Sequence, residues 1–143
     1  MTDAAETQET CERVVRSFYD ALRERDVERL GQLVAAHVHE DAVLHRPESL
    51  PGGGRTVSAR RIGRFFAFAA TVVDGPVDAT EMRVESVTTG RQEDQVDVVV
   101  RLALTYDATP TTAVEWWTFR DGRLQTLSAY YWDTAAMLAG PPA

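Results

Sequence analysis

The chain carries at residues 113–132 the segment AVEWWTFRDGRLQTLSAYYW, and this segment decides the fold class. Two apolar, aromatic-rich runs, at 113–119 and 124–132, flank the dipeptide Asp121-Gly122. An Asp-Gly pair favours the type I′ turn that joins antiparallel strands, because both central residues of that turn need positive φ. The sequence therefore predicts a β-hairpin near the end of the chain.

Further strands precede this hairpin. Residues 96–106 alternate apolar and polar side chains over a long run, and residues 82–87 do so over a shorter one. Such period-two alternation is typical of strands with one buried face. Earlier, a short strand is predicted at about Ala42–His45, where it stops before Pro47, and residues 50–55 form a glycine-rich loop.

The first half of the chain has helical periodicity instead. Apolar residues recur there at three- and four-residue spacing, which predicts amphipathic helices. Asp26 and Ser58 are the expected N-caps of the second and third helices, and a short helix is expected at Thr134–Leu138. The stripes are Cys11, Val14, Val15, Phe18 and Leu22; then Val27, Leu30, Leu33 and Val34; then Ile62, Phe65, Phe66, Ala69 and Val73.

This order of elements predicts an α+β fold. Helices gathered early and antiparallel strands late indicate an α+β domain rather than a parallel α/β sheet. We expect residues 1–143 to form a single domain. In it, a curved, mostly antiparallel sheet is wrapped by three N-terminal helices into a cone-shaped α+β barrel with an internal cavity.

Composition excludes several classes of function. All 15 basic residues are arginine, so no lysine is present for Schiff-base or pyridoxal-phosphate chemistry. The 22 acidic residues give a net charge of −7, which argues against nucleic acid as a partner. No apolar run reaches the ~20 residues of a membrane span, and no secretory signal is visible, so a soluble cytoplasmic protein is expected. The lone Cys11 is expected to be a buried, inert thiol.

Cofactor signatures are also missing from the sequence. It contains no dinucleotide fingerprint, no haem motif and no spacing typical of metal ligands. We therefore expect no cofactor and no metal.

Several short motifs together resemble the nuclear transport factor two-like superfamily, and most closely its SnoaL-like polyketide cyclases and their ketosteroid isomerase relatives. The motifs cover nearly the whole chain in the expected order. The resemblance implies the cone fold, small-molecule chemistry and face-to-face packing of two sheets in a homodimer. The matching segments are FYDAL at 18–22, DVERL at 26–30, DAVLHRPESLPGG at 41–53, FRDGRL at 119–124 and YYWDT at 130–134.

The resemblance also implies roles for individual positions. The isomerases carry a carboxylate base immediately before the proline that ends the first strand, where this sequence has Arg46 preceded by His45. They place a catalytic tyrosine on the first helix, at the position of Phe18, with Tyr19 one step away. Their protonated acid on the penultimate strand corresponds to Glu115.

The residues themselves favour Glu115 as an acid–base group. It shares a predicted strand face with Ala113, Trp117 and Phe119, and desolvation on such a face raises the pKa of a carboxyl group. The alternative is that Glu115 points to solvent or pairs with an arginine.

Simple hairpin pairing extends this face. If Asp121-Gly122 are the turn residues, Glu115 lies opposite Ser128, with Tyr130 and Trp132 on the same face. A one-residue bulge would exchange Tyr130 for Tyr131, so both remain candidates.

Other polar side chains have two open roles each. His45 is a candidate general base, since imidazole titrates near neutrality. Arg46 holds an enolate or carboxylate, or forms a salt bridge with Glu48. Tyr19 donates to a carbonyl group or packs between helices. Asp133 acts at the pocket mouth or caps the last helix.

These observations predict a cofactor-independent cyclase or isomerase that acts on a small apolar polyketide-type substrate. One alternative is epoxide opening by Glu115 with Asp97 and Arg101, after the relay of related epoxide hydrolases. The other is a non-catalytic ligand-binding or dimerisation module, in which the pocket is filled by its own side chains or holds a ligand that leaves unchanged. The expected catalytic residues are Glu115, His45, Tyr19 and Arg46, and the expected substrate-binding residues are Phe18, Phe66, Trp117, Tyr130, Tyr131, Trp132 and Asp133.

Overall fold

The computed structural model describes residues 4–140, which form four α-helices and one six-stranded sheet. A single turn of 3₁₀-helix, Ala79–Glu81, precedes the third strand. The helices are α1 (Ala4–Arg23), α2 (Val27–His37), α3 (Ala59–Thr71) and α4 (Thr134–Ala139). The strands are β1 (Val38–Arg46), β2 (Gly54–Val57), β3 (Arg83–Gln92), β4 (Gln95–Tyr106), β5 (Thr109–Arg120) and β6 (Arg123–Tyr131).

Side-chain caps start the helices where the sequence predicts. An Asp26 carboxylate oxygen accepts a hydrogen bond from the backbone N–H of Arg29, at 3.0 Å. Ser58 and Asp133 cap α3 and α4 in the same way. The expectation that Val73 belongs to the buried stripe of α3 is wrong: the helix ends at Thr71, and Val73 is exposed.

The sheet has the strand order β2-β1-β6-β5-β4-β3. The β1–β6 pair is parallel and the others are antiparallel, which confirms the predicted mostly antiparallel sheet. Strand β2 differs from the sequence-based expectation of a loop at residues 50–55. It forms because β1 runs on to Arg46, and the end of β1 offers a free edge with which residues 54–57 pair.

A bulge in β6 changes the register of the predicted hairpin. Phe119 pairs with Leu124, but Thr118 pairs with Thr126, so Gln125 is an extra residue on β6. Glu115 consequently lies opposite Ala129. The expected pairing with Ser128 is therefore wrong.

The same shift decides which aromatic residues face the helices. Ala113, on the face of Glu115, pairs with Tyr131, whereas Tyr130 pairs with Val114 on the other face. The expectation that Tyr130 and Trp132 share the face of Glu115 is wrong. Both are exposed.

The core lies between α1–α3 and one face of the curved sheet. It holds Phe18, Phe66 and Trp117 together with the inward-facing residues of β4. Cys11 is buried in it, as predicted. None of the helices in residues 4–140 is long and apolar enough to cross a membrane.

Candidate functional site

A chain of two hydrogen bonds links α1 to β5. The indole Nε1–H of Trp117 donates to the Tyr19 hydroxyl oxygen at 3.0 Å. The Tyr19 hydroxyl in turn donates to Glu115 Oε1 at 2.5 Å. Since a phenol has one proton, accepting from Trp117 while donating to Glu115 fixes the direction of the chain.

Local periodicity explains why these three residues meet. Glu115 and Trp117 are two apart on β5, so both face the helices. Tyr19 follows Phe18 on the inward side of α1, where it is only 2% exposed. The neighbouring Phe18 ring joins the aromatic core, so Tyr19 is the residue of this pair that brings a hydroxyl group to Glu115.

Burial controls the proton affinity of this site. Desolvation raises the pKa of Glu115 above its ordinary value, although the hydrogen bond from Tyr19 and the charge of Arg46 oppose this effect. Burial also raises the pKa of Tyr19 well above its ordinary value, and the nearby Glu115 carboxylate adds to the increase. Tyr19 therefore stays protonated at neutral pH, and Glu115 keeps its proton to a higher pH than an exposed glutamate does.

One oxygen of Glu115 remains available. Among the described residues, Glu115 has a single hydrogen bond, and that bond engages Oε1. Oε2 forms no hydrogen bond with a described residue and is not fully buried. Glu115 is only partly buried as a residue, so Oε2 is the oxygen left for a ligand or for solvent.

Arg46 reaches this site from the end of β1. Alternation along β1 puts Arg46 on the same side as buried Leu44. Its guanidinium lies over the ring of Phe65, 5.2 Å from the centroid, and Nη1 donates to the backbone carbonyl of Gly52 at 3.1 Å. These contacts hold the cation near Glu115, where its charge lowers the pKa of the carboxyl group.

The loop that holds Arg46 depends on a glycine. A Cβ atom at Gly53 would come 1.8 Å from the carbonyl oxygen of Pro47 and 2.8 Å from that of Leu50. No side chain fits at these distances without a shift of the backbone. Gly53 therefore allows the tight loop that presents the Gly52 carbonyl to Arg46.

Tyr131 completes the cluster around Glu115. Burial raises the pKa of the Tyr131 phenol, and the charge of Glu115 raises it further. Arg46 lowers this pKa through its charge and through a side-chain hydrogen bond. The structure thus brings together a carboxyl group, a guanidinium and two phenols: Glu115, Arg46, Tyr19 and Tyr131.

A surface depression of about 570 Å³ lies where β1 and β6 end. Arg46 and Tyr131 line it, and both also interact with Glu115, so they connect the depression to the acid. His45 and Tyr130 line it as well. Glu115 itself is not a lining residue.

His45 does not join the Glu115 cluster. It pairs with Ser128, which pairs with Trp116, and these residues share the sheet face opposite to Glu115. The expectation that His45 and Glu115 share one catalytic centre is therefore wrong. His45 follows buried Leu44 on β1, so its side chain points to the opposite face of the sheet.

The epoxide-opening residues also lie away from Glu115. Asp97 accepts a hydrogen bond from Thr118 at 3.0 Å, and Arg101 pairs with Glu85 at 3.6 Å. Both alternate with inward-facing valines of β4 and so lie on the opposite face of the sheet. The structure does not bring them together with Glu115.

Three of the aromatic residues predicted to line the pocket, Phe18, Phe66 and Trp117, pack directly against one another. The ring centroids of Phe18 lie 5.2 Å from Phe66 and 5.3 Å from Trp117, and Phe66 stacks on Trp117 at 6.3 Å. All three side chains are at most 4% exposed. The three rings therefore pack against one another in the core and leave almost no exposed surface.

Asp133 lies directly before α4 and is its N-cap. The Asp133 carboxylate accepts from the backbone N–H of Ala136 at 3.0 Å, which confirms the cap role. Within residues 4–140, no group of three or more His, Cys, Asp or Glu side chains is placed to hold a metal ion.

The model of the SnoaL-like domain family matches residues 15–126. The chain belongs to the SnoaL-like domain family. Among the curated proteins compared, none matches this SnoaL-like chain.

Solved structures share the fold of this SnoaL-like chain. An NTF2-like protein of unknown function from Burkholderia pseudomallei is 21% identical over 91% of this chain and 95% of that one, with a TM-score of 0.64. A putative ketosteroid isomerase from Kribbella flavida is 18% identical over 94% and 84%, with a TM-score of 0.60. TerC, co-crystallised with polyporic acid, is 24% identical over 91% and 96%, with a TM-score of 0.63.

Sequence reasoning missed some contacts of this SnoaL-like site. It assigned Trp117 to the substrate lining but not to the hydrogen bond that orients Tyr19. It also did not place Phe65 beneath Arg46. Both contacts join residues far apart in sequence, and no local pattern reports such a pair.

Proposed function

We propose that the protein is a cofactor-independent cyclase or isomerase that acts on an apolar, polyketide-type intermediate by general acid–base catalysis. The observation that carries this proposal is the hydrogen bond from Tyr19 to Glu115 Oε1, 2.5 Å long, in a site where burial raises the pKa of Glu115. A carboxyl group whose pKa is raised toward neutrality both takes and returns a proton efficiently.

The proposed proton transfer uses the free oxygen. Glu115 Oε2 removes a proton from a carbon next to a carbonyl group and returns it at another position. Tyr19 keeps Oε1 occupied and so orients the carboxyl group. Arg46 and Tyr131 bind the substrate oxygens, where a guanidinium and a phenol stabilise the negative charge of an enolate. Tyr19 acts in this scheme as a positioning residue.

The substrate position follows from the packing. Since Phe18, Phe66 and Trp117 are packed against one another in the core, the substrate is placed in the depression beside Arg46 and Tyr131, the two lining residues that interact with Glu115. Holding one reactive conformer there contributes to the rate. The likeness to TerC and to a putative ketosteroid isomerase supports small-molecule chemistry of this kind, and a place in natural-product biosynthesis.

Deuterium exchange tests the proposal. The protein is incubated in D₂O with 2-tetralone, a two-ring ketone, and loss of the proton signal next to the carbonyl is followed by NMR. We expect Glu115→Gln to lower the protein-catalysed rate by about 10²-fold or more, the range of general acid–base contributions. The matched control is Glu48→Gln, an exposed glutamate in the loop beside Arg46. Equal rates for the wild type and Glu115→Gln would refute the proposal.

A second candidate function is a non-catalytic, dimeric ligand-binding module. The packed aromatic cluster favours it, because a cone filled by its own side chains leaves little room for a substrate. Exposed aromatic residues on the outer face of the sheet favour a second subunit there: Trp116 is 44% exposed and Tyr130 is 60% exposed.

Light scattering and the exchange assay separate the two candidates. Both predict a homodimer, which Trp116→Arg should dissociate because a charge would be buried in the interface. Only the enzyme predicts catalysed exchange. A wild-type monomer at micromolar concentration would contradict the dimer, whereas a dimer without exchange activity would favour the binding module.

A further inference from the structure

The depression at the ends of β1 and β6 has an unusual charge for this protein. The chain carries a net charge of −7, yet no acidic residue lines the depression among the residues that the structure describes. Its lining instead combines a guanidinium and an imidazole, from Arg46 and His45, with the hydroxyl groups of Ser128 and Thr134 and with tyrosine rings. Such a surface attracts an anion and packs against a ring.

Arg46 is the cation in this lining that forms no ion pair with a described side chain. Six ion pairs join described side chains, and none of them includes Arg46. The Arg46 guanidinium is instead held by a neutral carbonyl, that of Gly52, and by the ring of Phe65. Nη1 is engaged by the Gly52 carbonyl, and a side-chain hydrogen bond to Tyr131 lowers the pKa of that phenol. A guanidinium has five N–H donors, so donors beyond these two contacts remain for a ligand.

Neighbouring groups keep this arginine in place without neutralising it. Glu48, the nearest carboxylate in sequence, is exposed and forms no recorded ion pair with it. Glu115 interacts with Arg46 through its charge but lies outside ion-pair distance. A preorganised, unpaired guanidinium binds a planar oxyanion through two parallel hydrogen bonds.

From this arrangement we infer that the depression binds an aromatic ligand that is already ionised when it arrives, with Arg46 holding its planar oxyanion, an ionised enol or a carboxylate. The inference rests on the proposed function in that both place the substrate beside Arg46. It adds the charge of the substrate, and makes Arg46 the residue that selects it.

The physical reason for the selectivity is electrostatic. A neutral ligand gains little from a guanidinium that must lose part of its hydration, whereas an oxyanion forms charge-assisted hydrogen bonds. The ring of Phe65 beneath the cation and the tyrosines beside it exclude water and strengthen this attraction.

Isothermal titration calorimetry with three two-ring probes tests the inference. The probe 2-hydroxy-1,4-naphthoquinone is an enolate at neutral pH, and 2-naphthoate is a carboxylate. The neutral probe 2-methoxy-1,4-naphthoquinone has nearly the shape of the first. We expect the wild type to bind at least one anion about tenfold or more tightly than the neutral ether, which corresponds to about 1.4 kcal/mol.

Three variants show whether Arg46 is responsible. Arg46→Gln should lose the preference for the anion while its affinity for the ether stays nearly constant, and Arg46→Lys should keep part of the preference. The matched control is Arg64→Gln, which removes an exposed arginine from α3 and should leave the preference unchanged. Thermal unfolding of each variant checks that the loop and the domain remain folded.

Two results would overturn the inference. One is that the wild type binds the anions no more tightly than the ether, or binds none of the three probes. The other is an equal loss of affinity for the anions and the ether in Arg46→Gln, which would mean that Arg46 only shapes the loop.

Glu115→Gln distinguishes this inference from the proposed function. Removal of the nearby negative charge should tighten anion binding and leave ether binding nearly constant. If the anion preference is intact and depends on Arg46, but Glu115→Gln leaves deuterium exchange unchanged, the anion site stands and the proton-transfer function fails.

Discussion

Replacing Tyr19 by Phe removes one oxygen atom that serves two hydrogen bonds. The Tyr19 hydroxyl donates to Glu115 Oε1 at 2.5 Å and accepts from Trp117 Nε1 at 3.0 Å. The ring itself remains, so its packing against Trp117 at 5.7 Å is preserved. The variant therefore tests the polar network and leaves the aromatic core nearly unchanged.

The structure sets the size of the effect. A hydrogen bond to a charged group contributes about 1.5–3 kcal/mol, and a buried donor left without a partner costs about 1–3 kcal/mol. Trp117 is 1% exposed, so water does not replace the lost acceptor. Because both losses come from one hydroxyl and are not independent, we expect a decrease of about 3 kcal/mol in the free energy of unfolding at pH 8. For a chain near 150 residues this lowers Tm by roughly 6–12 °C.

Urea unfolding of four proteins gives the measurement: the wild type, Tyr19→Phe, Glu115→Gln and the double variant. The coupling energy should be about 1 kcal/mol, the difference between a charged and a neutral hydrogen bond. The control is Tyr130→Phe on the exposed face, which should change stability by less than about 0.5 kcal/mol. A Tyr19→Phe effect as small as that of Tyr130→Phe would refute the network.

Further predictions concern pH, the loop and the core. Since the pKa of Glu115 is raised in the folded protein, its ionisation costs stability as pH rises from about 4.3, the ordinary value for glutamate, through the folded pKa. Glu115→Gln should therefore gain in Tm relative to the wild type across that window, and a constant difference would contradict this. Gly53→Ala should lower the free energy of unfolding by about 2 kcal/mol in urea, because its Cβ would come 1.8 Å from the Pro47 carbonyl oxygen. Its control is Gly31→Ala in α2, where nothing lies within 4 Å; equal effects would rule out the clash. Phe66→Ala should cost about 3–5 kcal/mol by the same assay, and a value below about 1 kcal/mol would show that the aromatic cluster collapses freely.

Local signals in the sequence predicted most of the fold. The Asp121-Gly122 turn has positive φ at both residues, 50° and 73°, and Asp26, Ser58 and Asp133 cap their helices. Turn and cap chemistry acts within a few residues, so one sequence is enough to recognise it. Strand β2 could not be predicted in this way, because it is stabilised by pairing with β1 and has no strand pattern of its own.

The sequence predicted which kinds of side chain form the site, but only part of their arrangement in space. Glu115 was placed correctly on the inner face, because its neighbours Ala113 and Trp117 define that face by alternation. The bulge at Gln125 has no marker in the sequence, and it exchanged Tyr130 for Tyr131. His45 lies on the opposite face from Glu115, because it is adjacent to buried Leu44 on β1 and successive side chains of a strand point to opposite faces.

The pH profile of deuterium exchange tests the central claim, that Glu115 transfers the proton, most directly. We expect the rate in the wild type to rise with pH through a single inflection above about 4.3, the ordinary pKa of glutamate, since the ionised carboxylate is the base. In Tyr19→Phe the inflection should move to higher pH, because the hydrogen bond that lowers the pKa of Glu115 is gone. An inflection that stays in place in Tyr19→Phe, or that persists in Glu115→Gln, would contradict the account.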